Sequence, residues 1–361
     1  MPRPTVLTVV GNRPQYIKCA VLSRPLRARL REVLLDTGQH YDHQLAGTFY
    51  EQLPLPAPDV ALGIGSGSHA EQTARMLIGV ERAVTELRPR LVLVFGDTNS
   101  TLAAALTAAK LGVPVAHVEA GLRSFDRSMP EEINRVLTDR VSALLFCPTT
   151  TAVDNLEREG ITEGVHQVGD VMYDLALHAL TPAVEAAALA RFALQRGRYV
   201  YATVHRPANA DSPERLAGIL DVFTALNEPV VLAAHPRTRA TIERAGLAAR
   251  VGPGVVVSDP VGYFDSLALI KNARVVATDS GGMQKEAYFM ETPCVTMRET
   301  SEWVETLASG WNVLVGADPE ALMAALAAAR PGHTRGDYYG CGDAAGRIVT
   351  ALCDFLGVPM E

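Results

Sequence analysis

The sequence has few of the features that mark disulfide-bonded, membrane-spanning or metal-clustered proteins. Among its 361 residues only five are cysteines, and these are widely spaced, without a Cys-x-x-Cys pair. We therefore expect reduced thiols, no cysteine-based metal site and a cytoplasmic location. The longest apolar stretch, 102–118, is interrupted by a lysine, a glycine and a proline. No signal-peptide core follows the first residues, so no membrane segment is predicted.

Positive charge is also sparse. The net charge is −7, with 33 basic against 40 acidic residues and no basic run. This argues against nucleic acid or an anionic membrane surface as a partner. An anionic small-molecule substrate remains compatible, because a local basic pocket can lie within an acidic protein. The 48% hydrophobic content is typical of a well-packed globular enzyme, and the length favours two domains.

Short β-branched runs alternate with longer helical patterns along the chain, and this order restarts in the second half. The predicted strands are 5–10, a segment ending near 35, 91–95, 115–118, 199–204, 230–234 and 274–278. The predicted helices include 17–30, 100–111 and 213–226. Strands separated by helices imply βαβ units and parallel sheets. We predict an α/β protein of two Rossmann-like, doubly wound domains facing a central cleft, connected within 175–198.

Polar residues follow six of the predicted strands. The segments are Gly11-Asn12-Arg13-Pro14, Gly96-Asp97-Thr98-Asn99, Glu119-Ala120-Gly121-Leu122-Arg123, His205-Arg206, His235-Pro236-Arg237 and Asp279-Ser280-Gly281-Gly282. Ligands of open α/β sheets bind beyond the carboxyl ends of the strands. Any one of these segments could be an ordinary helix cap, but all six together favour a binding site between the two halves.

The segment Asp279–Gly282 opens a predicted helix. Consecutive glycines there allow backbone N–H groups to approach a phosphate, whose charge the helix dipole favours. The alternative is a plain N-cap by Asp279 or Ser280. Glu286, one turn later, is placed to accept hydrogen bonds from ribose hydroxyls. No Gly-x-Gly-x-x-Gly fingerprint follows the first strand of either half, and the glycine-rich segment 63–67 is interpreted as a loop.

A further helix start is predicted at Pro130. Glu131 and Arg135 are four residues apart and share a face. A surface ion pair would explain them, but their closeness to the 119–123 strand end favours a functional role. Asp97 is equally explained as an N-cap. His205 and His235 are open to interpretation as core histidines, although the neighbouring arginines favour ligand binding.

Several of these motifs, in the same order, resemble the non-hydrolysing UDP-N-acetylglucosamine 2-epimerases over nearly the whole chain. The matching segments are Gly11–Lys18, Thr37–Tyr41, Gly96–Thr98, His117–Arg123, Pro130–Arg135, Thr203–Arg206 and Asp279–Gln284. The resemblance implies a glycosyltransferase-B-like fold, a homodimer, no metal and no bound nicotinamide or other cofactor. It implies a catalytic N-terminal domain (1–176), a UDP-binding domain (177–342) and a C-terminal helix (343–361) that packs back on the first domain.

The resemblance also assigns residues. The catalytic positions are Asp97, Glu119, Glu131 and His205. The substrate-binding residues that we predict are Arg13, Lys18, Arg135, His235, Tyr263, Ser280, Gly281, Gly282 and Glu286. Of these, Arg13 and 280–282 would hold the diphosphate, Glu286 the ribose, and Lys18 would lie near the sugar. Tyr263 or the adjacent Phe264 would pack beside the uracil.

The implied activity is that of an isomerase that interconverts UDP-GlcNAc and UDP-ManNAc for surface polysaccharide synthesis. The proton at C2 of the sugar is not acidic, since no carbonyl neighbours it. Without a redox fingerprint, the route that the related enzymes take is anti elimination of UDP to a 2-acetamidoglucal, followed by re-addition. The alternatives are a 2-epimerase of UDP-2,3-diacetamido-2,3-dideoxyglucuronic acid, a hydrolysing epimerase or a glycosyltransferase of the same fold, and an inactive UDP-sugar sensor.

Some positions depart from the commonest family pattern. Trp303-Val304 stands where Arg-Pro is common, Lys285 where a carboxylate is usual, and Asn12 and Gln15 where Thr and Glu are usual. These departures indicate a subgroup that includes the glucuronic acid epimerases. Lys285 either supplies a cation for a sugar carboxylate or points to solvent. Tyr41-Asp42, in place of Arg-Glu, brings into question the allosteric activation by UDP-GlcNAc known from bacterial relatives.

Overall fold

The computed structural model of the chain describes residues 3–39, 55–332 and 335–359. Tyr41 and Asp42 lie outside this range. The chain divides into two compact units, one formed by Met1–Leu175 with Asp337–Glu361 and the other by Ala176–Gly336. Each unit contains one parallel sheet with helices between its strands, so the predicted α/β class with two doubly wound sheets is confirmed. The predicted domain boundaries at 176 and 342 remain predictions alongside these observed units.

The first unit contains a seven-stranded parallel sheet. Its strands are β1 (Thr5–Val10), β2 (Arg31–Asp36), β3 (Val60–Ala61), β4 (Leu91–Phe95), β5 (Val115–Val118), β6 (Leu144–Cys147) and β7 (Val165–Gln167). They lie in the order β3-β2-β1-β4-β5-β6-β7. The chain reverses its direction of travel across the sheet between β1 and β4, which are paired in parallel. This pair is therefore the topological switch point of the first sheet.

The described helices of the first unit are α1 (Arg13–Arg29), α2 (His69–Leu87), α3 (Asn99–Lys110), α4 (Pro130–Val141), α5 (Thr150–Arg158), α6 (Val171–Ala179, which crosses into the second unit) and the C-terminal α15 (Ala344–Leu356). Helices α1, α2, α3 and α5 each begin after a residue whose side chain caps the helix. Helix α1 starts four residues before the predicted position 17. The Asn12 side chain accepts the N–H of Gln15 at 3.2 Å, and Pro14 is tolerated in the first turn.

The first core lies between the strands and helices α2 and α3, where Leu7, Val9, Val92 and Val94 are buried. Helix α15 packs against α1. Its first two N–H groups donate to the Asp174 carboxylate at 3.2 and 2.8 Å. These two bonds fix the start of α15, because the first N–H groups of a helix have no partner within it.

The second unit contains a six-stranded parallel sheet. Its strands are β8 (Val200–Thr203), β9 (Val230–Ala233), β10 (Val255–Ser258), β11 (Val275–Thr278), β12 (Cys294–Thr296) and β13 (Asn312–Leu314). Their order, β10-β9-β8-β11-β12-β13, repeats the reversal of the first sheet, with β8 and β11 at the switch point. The buried face of this sheet includes Val200, Leu232 and Val275.

The helices of the second unit are α7 (Pro182–Arg191), α8 (Pro207–Ala210), α9 (Pro213–Ala225), α10 (Pro236–Arg244), α11 (Tyr263–Asn272), α12 (Gly281–Phe289), α13 (Val304–Ala308) and α14 (Pro319–Ala328). The Ser212 side chain caps α9 by accepting the Arg215 N–H at 3.3 Å. The segment 175–198, predicted as a connection, is mainly helical because α6 and α7 occupy most of it. No helix in the described part of the chain is long and apolar enough to span a membrane.

Candidate functional site

The switch point of the first sheet is held by a buried network around Gln15, the second residue after Arg13 in α1. The Gln15 side chain accepts the Gly11 N–H at 2.8 Å and donates to the Phe95 carbonyl at 2.8 Å. It also donates to Thr98 and Thr101 at 3.0 and 2.9 Å. The turn after β1 is thereby tied to the turn after β4. Gln15 stands where glutamate is usual in the family. Its amide both donates and accepts hydrogen bonds here, which an ionised glutamate could not do.

Glu119 directly follows β5 and forms a buried ion pair with Lys18 of α1. Its backbone has a φ of 68°, in the left-handed region that non-glycine residues seldom adopt, and such outliers cluster at functional sites. A Cβ placed on Gly96 would lie 3.4 Å from the Lys18 Nζ and 3.6 Å from a Glu119 oxygen. The ion pair thus lies against the Gly96 turn, where the φ of 59° favours glycine.

Asp97 is the next residue after Gly96, and its carboxylate forms an ion pair with Arg135 of α4. Arg135 also contacts Glu132 at 3.0 Å. The Asp97 side chain is 30% exposed, so it remains reachable by a ligand. Glu131, at the first turn of α4, is exposed. The structure therefore brings Asp97, Arg135, Glu119 and Lys18 to one edge of the sheet, with Glu131 at the surface of the same helix as Arg135.

Behind this edge lies a mostly buried chain of charged groups, of which Asp139 and Glu159 were not predicted from the sequence. His117 contacts Asp139 of α4 through Nδ1 and the Gly96 carbonyl through Nε2, both at 2.7 Å. Asp139 accepts from Arg123 at 2.7 Å, and Arg123 forms two hydrogen bonds to Glu159. The signal that would have found Asp139 is its spacing, because Glu132, Arg135 and Asp139 lie at i, i+3 and i+7 on one helix face.

At the switch point of the second sheet, the buried Asp279 after β11 meets His205 after β8. The Asp279 carboxylate accepts the backbone N–H groups of His205 and Arg206 at 3.0 Å each, and the Asn209 side chain at 3.1 Å. It also contacts the His205 Nδ1 at 3.0 Å. Burial raises the pKa of Asp279, but the His205 imidazole and these backbone N–H groups outweigh it and hold the pKa below its usual range.

His205 is therefore a half-exposed imidazole oriented by a buried carboxylate. Because Nδ1 faces Asp279, chemistry at this ring would use Nε2. The ring of His235 lies 6.4 Å from that of His205, centroid to centroid. His235 is exposed and caps α10, where its Nδ1 accepts the Arg237 N–H at 3.2 Å. The two predicted histidines are brought together, and neither is a fully buried core residue.

Helix α12 begins beside the same edge. Ser280 caps it by accepting the Met283 N–H at 3.4 Å, so the plain capping role holds here. A Cβ on Gly281 would overlap the Glu302 carboxylate, whereas a Cβ on Gly282 would meet no atom within 4 Å. At Gly281 the Glu302 side chain would have to move to admit a Cβ, whereas Gly282 leaves open space above the helix N-terminus. That space, with the dipole behind it, suits an anionic group.

Lys285, one turn into α12, is buried with 3% exposure. Its ammonium lies 4.1 Å from the centroid of the Trp303 ring, a cation–π arrangement. Of the two orientations considered from the sequence, the one toward solvent is therefore wrong. The pair joins two of the departures from the family pattern, since lysine and tryptophan face each other where carboxylate and arginine are usual.

Of three further predicted residues, Arg13 and Tyr263 begin helices, and Glu286 lies in the second turn of α12. Arg13 is the half-buried first residue of α1, and Glu286 is half-buried in α12. Tyr263 begins α11 and is buried, with its ring edge-to-face against Phe264 at 5.8 Å. Phe264 is half-buried and presents more ring surface to a planar ligand. No cluster of three metal-ligating side chains is found among the residues that the structure describes.

Comparison with known proteins identifies relatives over nearly the full length of the chain. A family model described as UDP-N-acetylglucosamine 2-epimerase matches residues 24–353. A Methanococcus maripaludis protein named UDP-N-acetylglucosamine 2-epimerase homolog is 46% identical, with 96% of this chain and 99% of the relative covered. The UDP-2,3-diacetamido-2,3-dideoxy-D-glucuronate 2-epimerase of Pseudomonas aeruginosa is 47% identical with the same coverage.

Solved structures show the same architecture. The Methanocaldococcus jannaschii UDP-GlcNAc 2-epimerase, crystallised with UDP-GlcNAc and UDP, has a TM-score of 0.87 and 38% identity, with 97% of this chain and 99% of that chain covered. The Neisseria meningitidis UDP-GlcNAc 2-epimerase bound to UDP-GlcNAc has a TM-score of 0.88 and 27% identity, with 97% and 100% covered. The glycosyltransferase-B-like fold expected from the sequence is therefore confirmed.

Proposed function

The chain belongs to the UDP-N-acetylglucosamine 2-epimerase family, whose members are isomerases, and on this basis we propose that it interconverts UDP-GlcNAc and UDP-ManNAc. The family sets the class of reaction. The observation within the chain that carries the proposal is the pair of carboxylates after neighbouring strands, Asp97 and Glu119. Each is paired with a cation, Arg135 or Lys18. A carboxylate so paired is ionised at neutral pH and can accept a proton.

The proposed reaction proceeds by elimination. A base removes the proton at C2, the electron pair forms the C1–C2 double bond, and the C1–oxygen bond breaks so that UDP leaves with its electrons. UDP then adds back to C1 while an acid delivers a proton to the opposite face of C2. No net oxidation or hydrolysis occurs. Two faces of one carbon have to be served, which calls for several groups able to exchange protons.

We assign these proton transfers to Asp97, Glu119, Glu131 and His205 as a set. The closeness of Glu119 and Asp97 to one sheet edge supports the carboxylate part of the assignment. The Asp279–His205 contact supports the imidazole part, because a buried carboxylate fixes the tautomer and stabilises the imidazolium that forms. Glu131 is exposed, so its carboxylate is free to contact a substrate, and we propose that it acts once the substrate is bound.

The UDP portion is proposed to bind at the start of α12. The open space above Gly282 and the helix dipole support diphosphate binding by Ser280, Gly281 and Gly282. The other proposed substrate contacts are Arg13 to the diphosphate, Glu286 to the ribose, Tyr263 or its neighbour Phe264 to the uracil, and Lys18, Arg135 and His235 around the sugar.

A second candidate substrate is UDP-2,3-diacetamido-2,3-dideoxyglucuronic acid. It is favoured by the 47% identity to the Pseudomonas aeruginosa enzyme that acts on this sugar. It is also favoured by the buried Lys285, which adds a cation one turn inside the proposed UDP-binding helix. UDP-GlcNAc stays our first choice because the family model and the structural relatives carry its name.

Incubation of the protein with each sugar nucleotide in deuterated water tests both candidates. We expect NMR to show loss of the H2 signal and growth of the 2-epimer for the true substrate, with no free UDP accumulating. Accumulation of UDP and free sugar would instead indicate a hydrolysing epimerase. Binding of both nucleotides without deuterium uptake would overturn the epimerase proposal in favour of a sensor or a transferase.

We also propose a cytoplasmic homodimer that supplies precursors of surface polysaccharides. The free cysteines, of which four are buried, support a reducing compartment. Light scattering of the purified protein would measure the assembly, and a mass of one chain at micromolar concentration would contradict the dimer.

A further inference from the structure

His117 is a buried histidine for which the proposed reaction has no use, and its two hydrogen bonds define its charge. Nδ1 lies 2.7 Å from the Asp139 carboxylate and Nε2 lies 2.7 Å from the Gly96 carbonyl. A backbone carbonyl only accepts, and so does an ionised carboxylate. A neutral imidazole carries one N–H and can satisfy only one of them. Both bonds together require a proton on each ring nitrogen.

The shared proton could instead reside on Asp139, but the surroundings of that carboxylate argue against it. Its second oxygen accepts from the Gly121 N–H at 3.1 Å and from the Arg123 guanidinium at 2.7 Å. These two donors, one of them a cation, stabilise the ionised form of the carboxylate. Asp139 is therefore an ionised acceptor.

The charges of the buried chain balance when His117 is positive. Arg123 donates to Glu159 through two nitrogens, at 2.7 and 2.8 Å. Two cations, His117 and Arg123, then face two anions, Asp139 and Glu159. Glu159 is partly exposed, at 28% of its side chain, but His117 and Asp139 are almost fully inaccessible to solvent. A ring nitrogen without its proton would leave either the Asp139 carboxylate or the Gly96 carbonyl facing a lone pair in this buried place, which is costly.

The carbonyl that His117 holds belongs to the turn between the reactive carboxylates. The Gly96 N–H donates to the Val118 carbonyl at 2.9 Å. Residues of β5 therefore hold both the N–H and the carbonyl of Gly96. Gly96 has a φ of 59°, and the Lys18–Glu119 pair lies against it. Asp97 follows directly, and its own carbonyl accepts from Asn134 of α4 at 3.0 Å.

We propose that His117 is an imidazolium ion in the folded protein and acts as a positioning residue, holding the Gly96 turn so that Asp97 and Glu119 keep their relative placement. The charge state stands on the hydrogen bonds alone. The positioning role rests on the proposed epimerase function. The other charged groups at this edge are Lys18, Arg135 and Glu132. The titratable thiol of Cys147, at the end of β6, lies near Asp139 of α4.

The charge is tested by NMR of protein labelled with ¹⁵N-histidine, without any substrate. Near neutral pH, both ring nitrogens of His117 should show protonated shifts with attached protons. The His117→Gln variant identifies the signal among the nine histidines. A neutral tautomer of His117 at that pH, with one unprotonated nitrogen, would overturn the proposal.

The positioning role is tested by the kinetics of His117→Gln. We expect kcat to fall about 100-fold, since small misplacements of reacting groups carry penalties of this size, with KM and UDP affinity changed less than about threefold. His166→Gln is the matched control, because His166 lies on β7 of the same sheet against Phe146, and its kcat should stay within about twofold. Unchanged kcat in His117→Gln would remove the positioning role.

The two failures are distinguishable. If the wild-type protein exchanged H2 with neither sugar nucleotide, the epimerase proposal would fall while the NMR experiment would still decide the charge of His117. If His117→Gln proved insoluble, the wild-type spectrum, assigned through an Asp139→Asn variant, would serve the same purpose.

Discussion

The proposed catalytic carboxylates, Asp97 and Glu119, each pair with a cation. Lys18 neutralises Glu119 in a buried pair, and Arg135 neutralises the more exposed Asp97. A buried carboxylate without its partner would either protonate or destabilise the fold. Each pair therefore supplies the partner that its carboxylate needs at this edge of the sheet.

Replacement of either carboxylate by its amide separates catalysis from binding. Asp97→Asn and Glu119→Gln should each lower solvent-deuterium exchange at H2 by about 10²- to 10⁴-fold, the usual contribution of a positioned acid or base. UDP affinity should change little, because the proposed nucleotide contacts lie at the start of α12. NMR exchange rates and calorimetric titration with UDP measure the two effects.

The control for these amide variants is Glu157→Gln, an exposed residue of α5, which should leave both quantities unchanged. Exchange at near wild-type rates in both Asp97→Asn and Glu119→Gln would show that the proton transfers belong to other groups.

At the scale of single elements, helix α4 inverts the usual pattern of burial. Its buried residues are polar, and include Glu132, Arg135 and Asp139, while Ile133 and Leu137 are 49% and 47% exposed. The buried side of α4 faces the charged ends of β4 and β5, where carboxylates, backbone N–H groups and His117 need partners. The polar face thus satisfies groups that an apolar helix would leave unpaired.

Helix α12 offers a pair of matched glycines. Gly281→Ala should lower the free energy of unfolding by about 1–3 kcal/mol, because its Cβ would overlap Glu302, which Arg298 holds through a 2.9 Å hydrogen bond. Gly282→Ala should leave stability unchanged or raise it by up to about 1 kcal/mol. Urea denaturation measures both.

The same pair tests the proposed diphosphate site. A methyl group on Gly282 would project into the space proposed for phosphate oxygens, so we expect UDP affinity to fall at least about tenfold, or ~1.4 kcal/mol. Gly282→Ala protein with unaltered stability and unaltered UDP affinity would exclude close approach of the diphosphate to this helix start.

At the scale of the whole molecule, the two sheets have the same strand order around their switch points. Each unit also has a buried aspartate that contacts a histidine at a strand end: Asp139 contacts His117, and Asp279 contacts His205. Asp139 and Asp279 both have a pKa held below the usual range: burial raises it, but the partners described above outweigh burial. The two units can be followed separately, because both tryptophans, Trp303 and Trp311, lie in the second and the buried Cys147 lies in the first.

Asp139→Asn and Asp279→Asn should each destabilise their own unit by about 3 kcal/mol near neutral pH, since a buried partner is removed. Because the folded pKa lies below that of the unfolded chain, the unfolded chain takes up the proton first. This stabilisation is therefore present above about pH 4 and is lost as the pH falls below it. Each variant should accordingly lose less stability on acidification than the wild type does.

Urea unfolding at about pH 7 and about pH 3.5 measures this difference, with tryptophan fluorescence for Asp279→Asn and labelling of Cys147 by a dithiodipyridine reagent for Asp139→Asn. The comparison has to be made against the wild type, because burial raises the pKa of Asp36 and Asp174 and these groups act in the opposite sense. Equal acid sensitivity of a variant and the wild type would contradict the assigned role of that aspartate.

The sequence alone determined the class of fold and the places where chemistry could occur. Apolar runs of strand length separated by helical patterns encode parallel sheets locally, within stretches of 5 to 20 residues. Polar residues after those runs necessarily gather at one edge of each sheet, since parallel strands end on the same side. The strand ends at 97, 119, 205 and 279 were therefore predictable without coordinates.

Only the tertiary structure decided which charged groups meet. The pairs Lys18–Glu119, Asp97–Arg135 and His205–Asp279 join residues far apart in sequence, and no local periodicity encodes such a pairing. The same holds for the buried Lys285, whose orientation depends on Trp303 from the loop before α13. Local patterns specify elements because backbone hydrogen bonds and burial act over a few residues, whereas the charge of a buried side chain is set by whichever partner the folded chain brings within hydrogen-bonding distance.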